Sequence, residues 1–174
     1  MTQIAETGKV SRPMEVVNQQ RWQKPPEGSW KINVDGAFWD REKKGAWGFV
    51  VRDDQGNAVL AGAGSLMSIS DALIAETHAC IAALQAAADH GLQNIVLESD
   101  SLILVRALQS DLYDRARGGM LFREAKYIMA MNFNTVIAVH TPRSCNVVAH
   151  TLAQFGGVRD QIILLVGCIL SLNL

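Results

Sequence analysis

Asp35, Glu76 and Asp100 are three acids, spread over a chain of 174 residues, whose surroundings do not call for a carboxylate. Asp35 closes the alternating run Trp30-Lys31-Ile32-Asn33-Val34 and precedes Gly36-Ala37, where the chain is expected to change direction. Asp100 follows soon after the apolar run Ile95-Val96-Leu97. Glu76 shares a stripe of 3–4 spacing with Leu73, Cys80, Leu84 and Ala87, which puts its carboxylate on a packing face. A carboxylate turned into a core is costly unless it is paired or bound to a cation. No Lys or Arg lies within these motifs, so a hard divalent ion is the natural counter-charge.

Each acid also has a plainer use. Asp35 suits a turn, Asp100 an ordinary helix cap, and Glu76 a first-turn complement to the helix dipole. Caps and turns have no reason to meet at one sheet edge, whereas the ligands of one metal do. The elements that carry the acids therefore decide between these readings.

Trp30 to Asp35 alternates apolar and polar residues, the pattern of a half-buried strand. Gly45 to Arg52 makes a second strand, the turn chemistry Asp53-Asp54-Gln55-Gly56-Asn57 follows, and Ala58 to Gly64 returns as a third. The period then changes. Ser70 or Asp71 can cap a helix running to about His90, with Gly91 as its stop. Ile95 to Leu97 reads as a strand buried on both faces. Ser99 or Asp100 can cap a helix over Leu102 to Gln109, and Met120 to Met131 is a further helix. Asn134 to His140 is a fifth strand, and Asn146 caps a last helix over Val147 to Phe155. The order β-β-β-α-β-α-α-β-α implies an α/β fold with a five-stranded mixed sheet, three strands antiparallel and two parallel. Right-handed crossover sets the fourth strand parallel to the first, which brings Asp35 and Asp100 side by side at a sheet edge that binds ligands in open α/β folds.

Asp35-Gly36-Ala37, Ala75-Glu76, Glu98-Ser99-Asp100 and Asn146-x-x-x-His150-x-Leu152-Ala153 resemble the four motifs of type 1 ribonuclease H, in order and on matching elements. The opening PPEGSWKINVDGAF is similar to the ribonuclease-H-like domains of plant non-LTR retrotransposons and of host genes derived from them. The resemblance covers Ser29 to about Phe155. It implies the ribonuclease-H-like fold, with helices on both faces of the sheet, and a two-metal endonuclease that cuts the RNA strand of an RNA–DNA hybrid to leave a 5′-phosphate. Asp35 would bridge two Mg²⁺ ions, and Glu76 and Asp100 would each hold one. The family's fourth metal-site residue is usually Asp, and the matching position is His150, found in many members of the plant group. Imidazole suits Mn²⁺ better than Mg²⁺, so activity is expected to be weakened or shifted toward manganese. His140 matches a mobile histidine that aids proton transfer or product release, and a backbone-bonded strand-end histidine is the plainer alternative. Gly36, Ala37 and Asn146 would meet the RNA strand, and Arg115, Arg117 and Arg123 would grip DNA phosphates. A solvated helix face competes as the reading of those arginines.

Composition bounds these readings. Hydrophobic residues make up 49% and charged residues 19%, which excludes disordered and fibrous classes. The net charge of −1 gives no broad basic footprint, so nucleic-acid binding must rest on a local site. Three cysteines form no paired framework and no CxxC, which points to a reducing intracellular compartment. A monomer with no membrane partner is expected. Residues 1–28, ending in Lys24-Pro25-Pro26-Glu27-Gly28, read as a flexible linker without a secretion signal, and 29–157 as the domain. The apolar stretch within 158–174 falls short of the roughly 20 residues a membrane span needs; it reads as a core-covering segment or a tail out of context. Two rival functions remain: a non-catalytic nucleic-acid-binding remnant of the same fold, and a nucleotide-binding domain. The second lacks a glycine-rich phosphate loop after its first strand.

Overall fold

The computed structural model describes residues 21–158 and 162–165. Its elements are β1 (Trp30–Trp39), β2 (Lys44–Arg52), β3 (Ala58–Leu66), α1 (Ala72–Asp89), β4 (Asn94–Ser99), α2 (Leu102–Gln109), α3 (Gly119–Asn132), β5 (Thr135–His140), a 3₁₀ turn at Arg143–Cys145, α4 (Val147–Gly156) and β6 (Ile162–Leu165). The sheet order is β5-β4-β1-β2-β3-β6. β1, β2 and β3 form the antiparallel meander, and β4 and β5 run parallel to β1. The fold is the α/β ribonuclease-H-like one, with a mixed sheet and, among the described residues, four α-helices. It differs from the expected five strands by one: the start of the apolar tail pairs antiparallel with β3 from Ala63↔Ile162 to Leu60↔Leu165. The β-branched and apolar IILL run satisfies the open edge of β3. Residues 166–174 lie outside the described residues.

Strand alternation sorts the two faces. Ile32, Val34, Phe49, Val51, Leu60, Ile95 and Leu97 turn to the main core, where α1, α2 and α3 pack. α1 can lie close because it presents Ala75, Ala79, Cys80, Ala83 and Ala87 toward the core, all fully buried. It starts at Asp71, which accepts a hydrogen bond from Ile74 N at 3.0 Å, and it stops at Gly91, whose φ of +69° suits glycine. The opposite face carries Asp35, Ala37 and Ala46 beneath α4, with Ala153 packed against the alanines.

Farther along that second face the side chains are polar and still buried. Lys31 and Glu98 pair at 2.7 Å, Asn33 Nδ2 donates to Glu98, and Asn33 Oδ1 accepts from both Trp22 Nε1 and Arg52. Lys31 also donates to Gln23 O, and the Trp22 ring lies against Lys31 and Arg52. Residues 21–28, expected to be linker, are thus strapped to the sheet because Trp22 satisfies a polar face that α4 does not reach. Residues 1–20 lie outside the described residues.

Candidate metal centre

Asp35 sits in mid-strand, not at a strand end. β1 and β2 stay paired past it, from Gly36↔Trp47 to Trp39↔Lys44, because the alternation resumes after Gly36. Gly36 is required for another reason: a Cβ there would collide with the α1 backbone at Ala75 and Glu76. That contact sets the first turns of α1 directly against β1. The parallel pairing of β1 with β4 ends at Val34↔Ser99, so Asp35 and Asp100 stand just beyond the last pair. Glu76 reaches this gap from α1. Asp35, Glu76 and Asp100 each place an oxygen within 4.8 Å of the others, the one such group among the described residues.

Asp100 is free for this place because Ser101, rather than Ser99 or Asp100, caps α2, accepting from Leu104 N. Asn146 likewise does not cap α4 with its side chain. Its amide donates to Val34 O at 2.9 Å and to Asp100 at 3.3 Å, so it staples the β1 backbone to the acid after β4. At 1% exposure it is a positioning residue, with little surface to offer a substrate.

The electrostatics are those of a site built for positive charge. Burial, followed by the charges of Asp35 and Asp100, pushes the Glu76 carboxyl up to about 9. A backbone hydrogen bond from Gly36 works the other way, so that amide is directed at Glu76. Asp35 is also raised, first by burial; a hydrogen bond from His150 opposes this and the Asp100 charge adds to it. Glu76 Oε2 is buried and has no hydrogen-bond partner. An orphaned carboxylate oxygen among three acids that repel one another fits a hard divalent cation. Cys80, one helical turn on, is a core thiol raised to about 12 by burial and then by Glu76, which keeps it protonated.

The histidines are placed differently from the acids. His150 is not one of the grouped ligands; its Nδ1 lies 2.7 Å from Asp35 Oδ2 and 3.2 Å from Arg143 Nη2. His140 ends β5 opposite Ser99 and is exposed beside a cavity of about 410 Å³ that Cys145, Lys31 and Glu98 also line. Ala37 is buried under α4. Arg115 and Arg117 are exposed on the α2–α3 loop, and Arg123 is exposed on α3. The loop ends at Gly118, where an added Cβ would touch Ile74, so it lies against the start of α1. Lys126, by contrast, is committed to Asp111 and Asp114. Sequence reasoning missed Arg143, since no spacing rule ties it to His150 and only the 3₁₀ turn brings it back onto α4.

Fold and cluster together define a ribonuclease-H-like α/β domain with a candidate divalent-metal site. The chain belongs to the reverse transcriptase-like family, whose profile matches residues 33–156. Among solved structures it is similar to the N-terminal RNase H domain of a Mycobacterium tuberculosis protein, with 20% identity, 74% of this chain and 93% of that one covered, and a TM-score of 0.67. RNase H1 of the archaeon Halobacterium salinarum is 29% identical, covering 74% of this chain and 96% of its own, at a TM-score of 0.63. LC11-RNase H1, solved in complex with an RNA/DNA hybrid, is 21% identical, with 72% and 94% covered and a TM-score of 0.65. No curated protein matches by sequence. Among the described residues, no helix is long and apolar enough to cross a membrane.

Proposed function

We propose that this protein hydrolyses the RNA strand of RNA–DNA hybrids endonucleolytically, leaving 5′-phosphate ends. The observation that carries the reading is the convergence of Asp35, Glu76 and Asp100, with the buried orphan oxygen of Glu76, in a chain of this family. Bound there, two Mg²⁺ ions, or Mn²⁺ in their place, would polarise the phosphate and supply an activated water. Asp35, the most buried of the three, would hold them together with Glu76 and Asp100. Asn146 and Gly36 keep these carboxylates in register. His150 would orient Asp35 or act as a ligand, and exposed His140 would carry a proton to or from the product side. Arg115, Arg117 and Arg123 would meet the DNA strand on the α1 side, and the β1 backbone at Gly36-Ala37 would face the RNA.

The hybrid-bound neighbour supports that choice of partner, and the opening PPEGSWKINVDGAF supports an origin in plant retrotransposon-derived sequences. The working unit would be 29–157 with the 21–28 strap, acting as an intracellular monomer. One observation favours the non-catalytic alternative: His150 engages an Asp35 oxygen that a metal would need. Incubating an RNA–DNA hybrid with the protein in Mg²⁺ and in Mn²⁺, beside Asp35→Asn, decides the matter. Cleavage lost in the variant supports the nuclease. Hybrid binding without any metal-dependent cleavage in the parent overturns it.

A further inference from the structure

A cavity of about 410 Å³ lies between the 21–28 strap and the end of β5 with the turn that follows it. Its size falls in the range of small-molecule sites, about 300–1,000 Å³. None of Asp35, Glu76 and Asp100 lines it, so it is a separate feature from the carboxylate cluster. Its walls are held in place on both sides. Trp22 Nε1 donates to Asn33 Oδ1 at 3.1 Å on the strap side, and Thr141 N donates to Ser99 O at 3.0 Å on the other. Lys31 and Glu98, at 7% and 8% exposure, line it as well.

The polar groups of these walls are only partly used. Lys31 Nζ donates to Glu98 Oε1 at 2.7 Å and to Gln23 O at 2.6 Å, and Asn33 Nδ2 donates to Glu98 Oε2 at 2.9 Å. A carboxylate oxygen has two lone pairs, so Glu98 can still accept a donor. It is the only acid on the walls among the described residues. Lys31 and Arg21 line the same space, and Arg52 lies close enough for Glu98 to act on its charge. The local balance is therefore positive, which suits an anion. Val139, Pro142 and the Trp22 indole supply apolar surface. A ligand that answers these walls has a planar apolar body, an N–H donor for Glu98 and a negative charge for the exposed Arg21. A nucleotide whose base bears an exocyclic amino group has all three.

We propose that this cavity is a nucleotide-binding site, taking an unpaired nucleotide of a strand that runs on from the hybrid. Its amino-bearing base lies against Glu98 and its phosphate at Arg21. The position suits such a strand. β4 and β5 pair at Ser99↔His140, and Asp100 follows Ser99, so the rim at His140 adjoins the strand that leads into the cluster. The inference takes its ligand class from the nuclease reading and adds a preference for junctions where a single strand leaves the duplex.

The test uses the full chain in the absence of divalent metal, where the cluster offers a phosphate only repelling acids. Cytidine, cytidine 5′-monophosphate, uridine 5′-monophosphate and inorganic phosphate are titrated separately, and the Trp22 indole N–H is followed by NMR. The cytidine nucleotide should shift that resonance and bind about tenfold more tightly than the uridine one, which has a carbonyl in place of the amino group. Inorganic phosphate should leave the resonance unmoved. Val139→Trp, which fills the cavity from an exposed position, should lose cytidine nucleotide binding while melting like the parent. Arg21→Ala should weaken the cytidine nucleotide about threefold and leave cytidine itself unchanged. Equal affinity for the two nucleotides, an unmoved indole, or parent-like binding in Val139→Trp or in Arg21→Ala would overturn the proposal. Metal-dependent cleavage of the hybrid would stand through any of those results. A chain that binds the cytidine nucleotide in this way yet cuts no hybrid with Mg²⁺ or Mn²⁺ would lose the nuclease reading and keep the nucleotide site.

Discussion

His150 Nδ1 lies 2.7 Å from Asp35 Oδ2, so the start of α4 is bonded to the middle of β1 at the centre of the carboxylate cluster. The imidazole does not extend the set of acids; it engages one of them. In the metal-free protein this contact lowers the cost of burying Asp35, which burial and Asp100 otherwise push up.

Replacing that ring with a carboxylate exchanges a hydrogen-bond partner for a hard ligand. His150→Asp is expected to raise apparent Mg²⁺ affinity several-fold, by adding one more oxygen donor at a site that favours them. Its hybrid cleavage should be unchanged or faster, and Asp35→Asn should abolish cleavage. Titration calorimetry with Mg²⁺ and a gel assay of hybrid cleavage check the pair. Weaker Mg²⁺ binding in His150→Asp would mean that the ring is itself the better ligand.

Glu76 makes stability depend on pH in a direction opposite to most acids. Its carboxyl titrates at about 9 in the fold against 4.5 in a free side chain, so the native state keeps a proton that the unfolded chain releases. That contribution is complete below 4.5 and is lost as pH climbs through about 9. Asp35 is displaced the same way. Thermal melting of the metal-free protein should therefore fall across this window. Glu76→Gln should flatten the fall and be about 1–2 kcal/mol more stable than the parent at pH 8. Mg²⁺ should stabilise the parent more at high pH, since binding displaces the proton. Identical pH profiles for parent and Glu76→Gln would remove the basis for this account.

Gly36→Ala places a methyl against the α1 backbone at Ala75 and Glu76. Backbone cannot swing aside as a side chain can, so β1 and α1 must separate. A loss of about 1–3 kcal/mol is expected, typical of overpacking in a tight core. Mn²⁺ affinity should fall as well, because the displaced helix carries Glu76. A variant that melts early yet binds Mn²⁺ like the parent would show that the cluster tolerates the shift.

Most of the fold was legible because its signals are local. The alternation of Trp30 to Val34 identifies β1, the Ala-rich stripe identifies α1, and Gly91 marks its end. The three acids were legible too, since a parallel β1–β4 pair forces Asp35 and Asp100 together. What escaped depends on contacts between distant residues. Gly36-Ala37 resembles a turn in sequence, and only the close passage of α1 reveals why glycine is there. Asn146 has the type of a helix cap, but Val34 O, far off in sequence, offers its amide a better partner. Ser101 won the α2 cap over Ser99 and Asp100, a choice of one residue that no periodicity resolves. Trp22 sits in a run of polar residues and prolines, and its partners Asn33 and Arg52 belong to strands that follow it.

The strap built by Trp22 supports a last expectation. Lys31 and Glu98 are only 7% and 8% exposed and answer each other at 2.7 Å. Removing Lys31 leaves the buried Glu98 carboxylate with only the Asn33 amide and the charge of Arg52 to answer it, so Lys31→Ala should cost about 3 kcal/mol. Lys31→Met with Glu98→Leu removes both charges and fills the same space. The double variant should recover part of that loss, because a buried ion pair adds little net stability over apolar packing, while the buried Asn33 amide loses its acceptor. Trp22→Ala should cost about 2 kcal/mol, from the indole bond to Asn33 and the two stacked cations. A chain beginning at Ser29 should be destabilised at least as much relative to one beginning at Arg21, as read by urea unfolding. Equal stability of those two chains would mean that water satisfies Asn33 and Lys31 as well as Trp22 and Gln23 do, and that residues 21–28 contribute nothing to the folded domain.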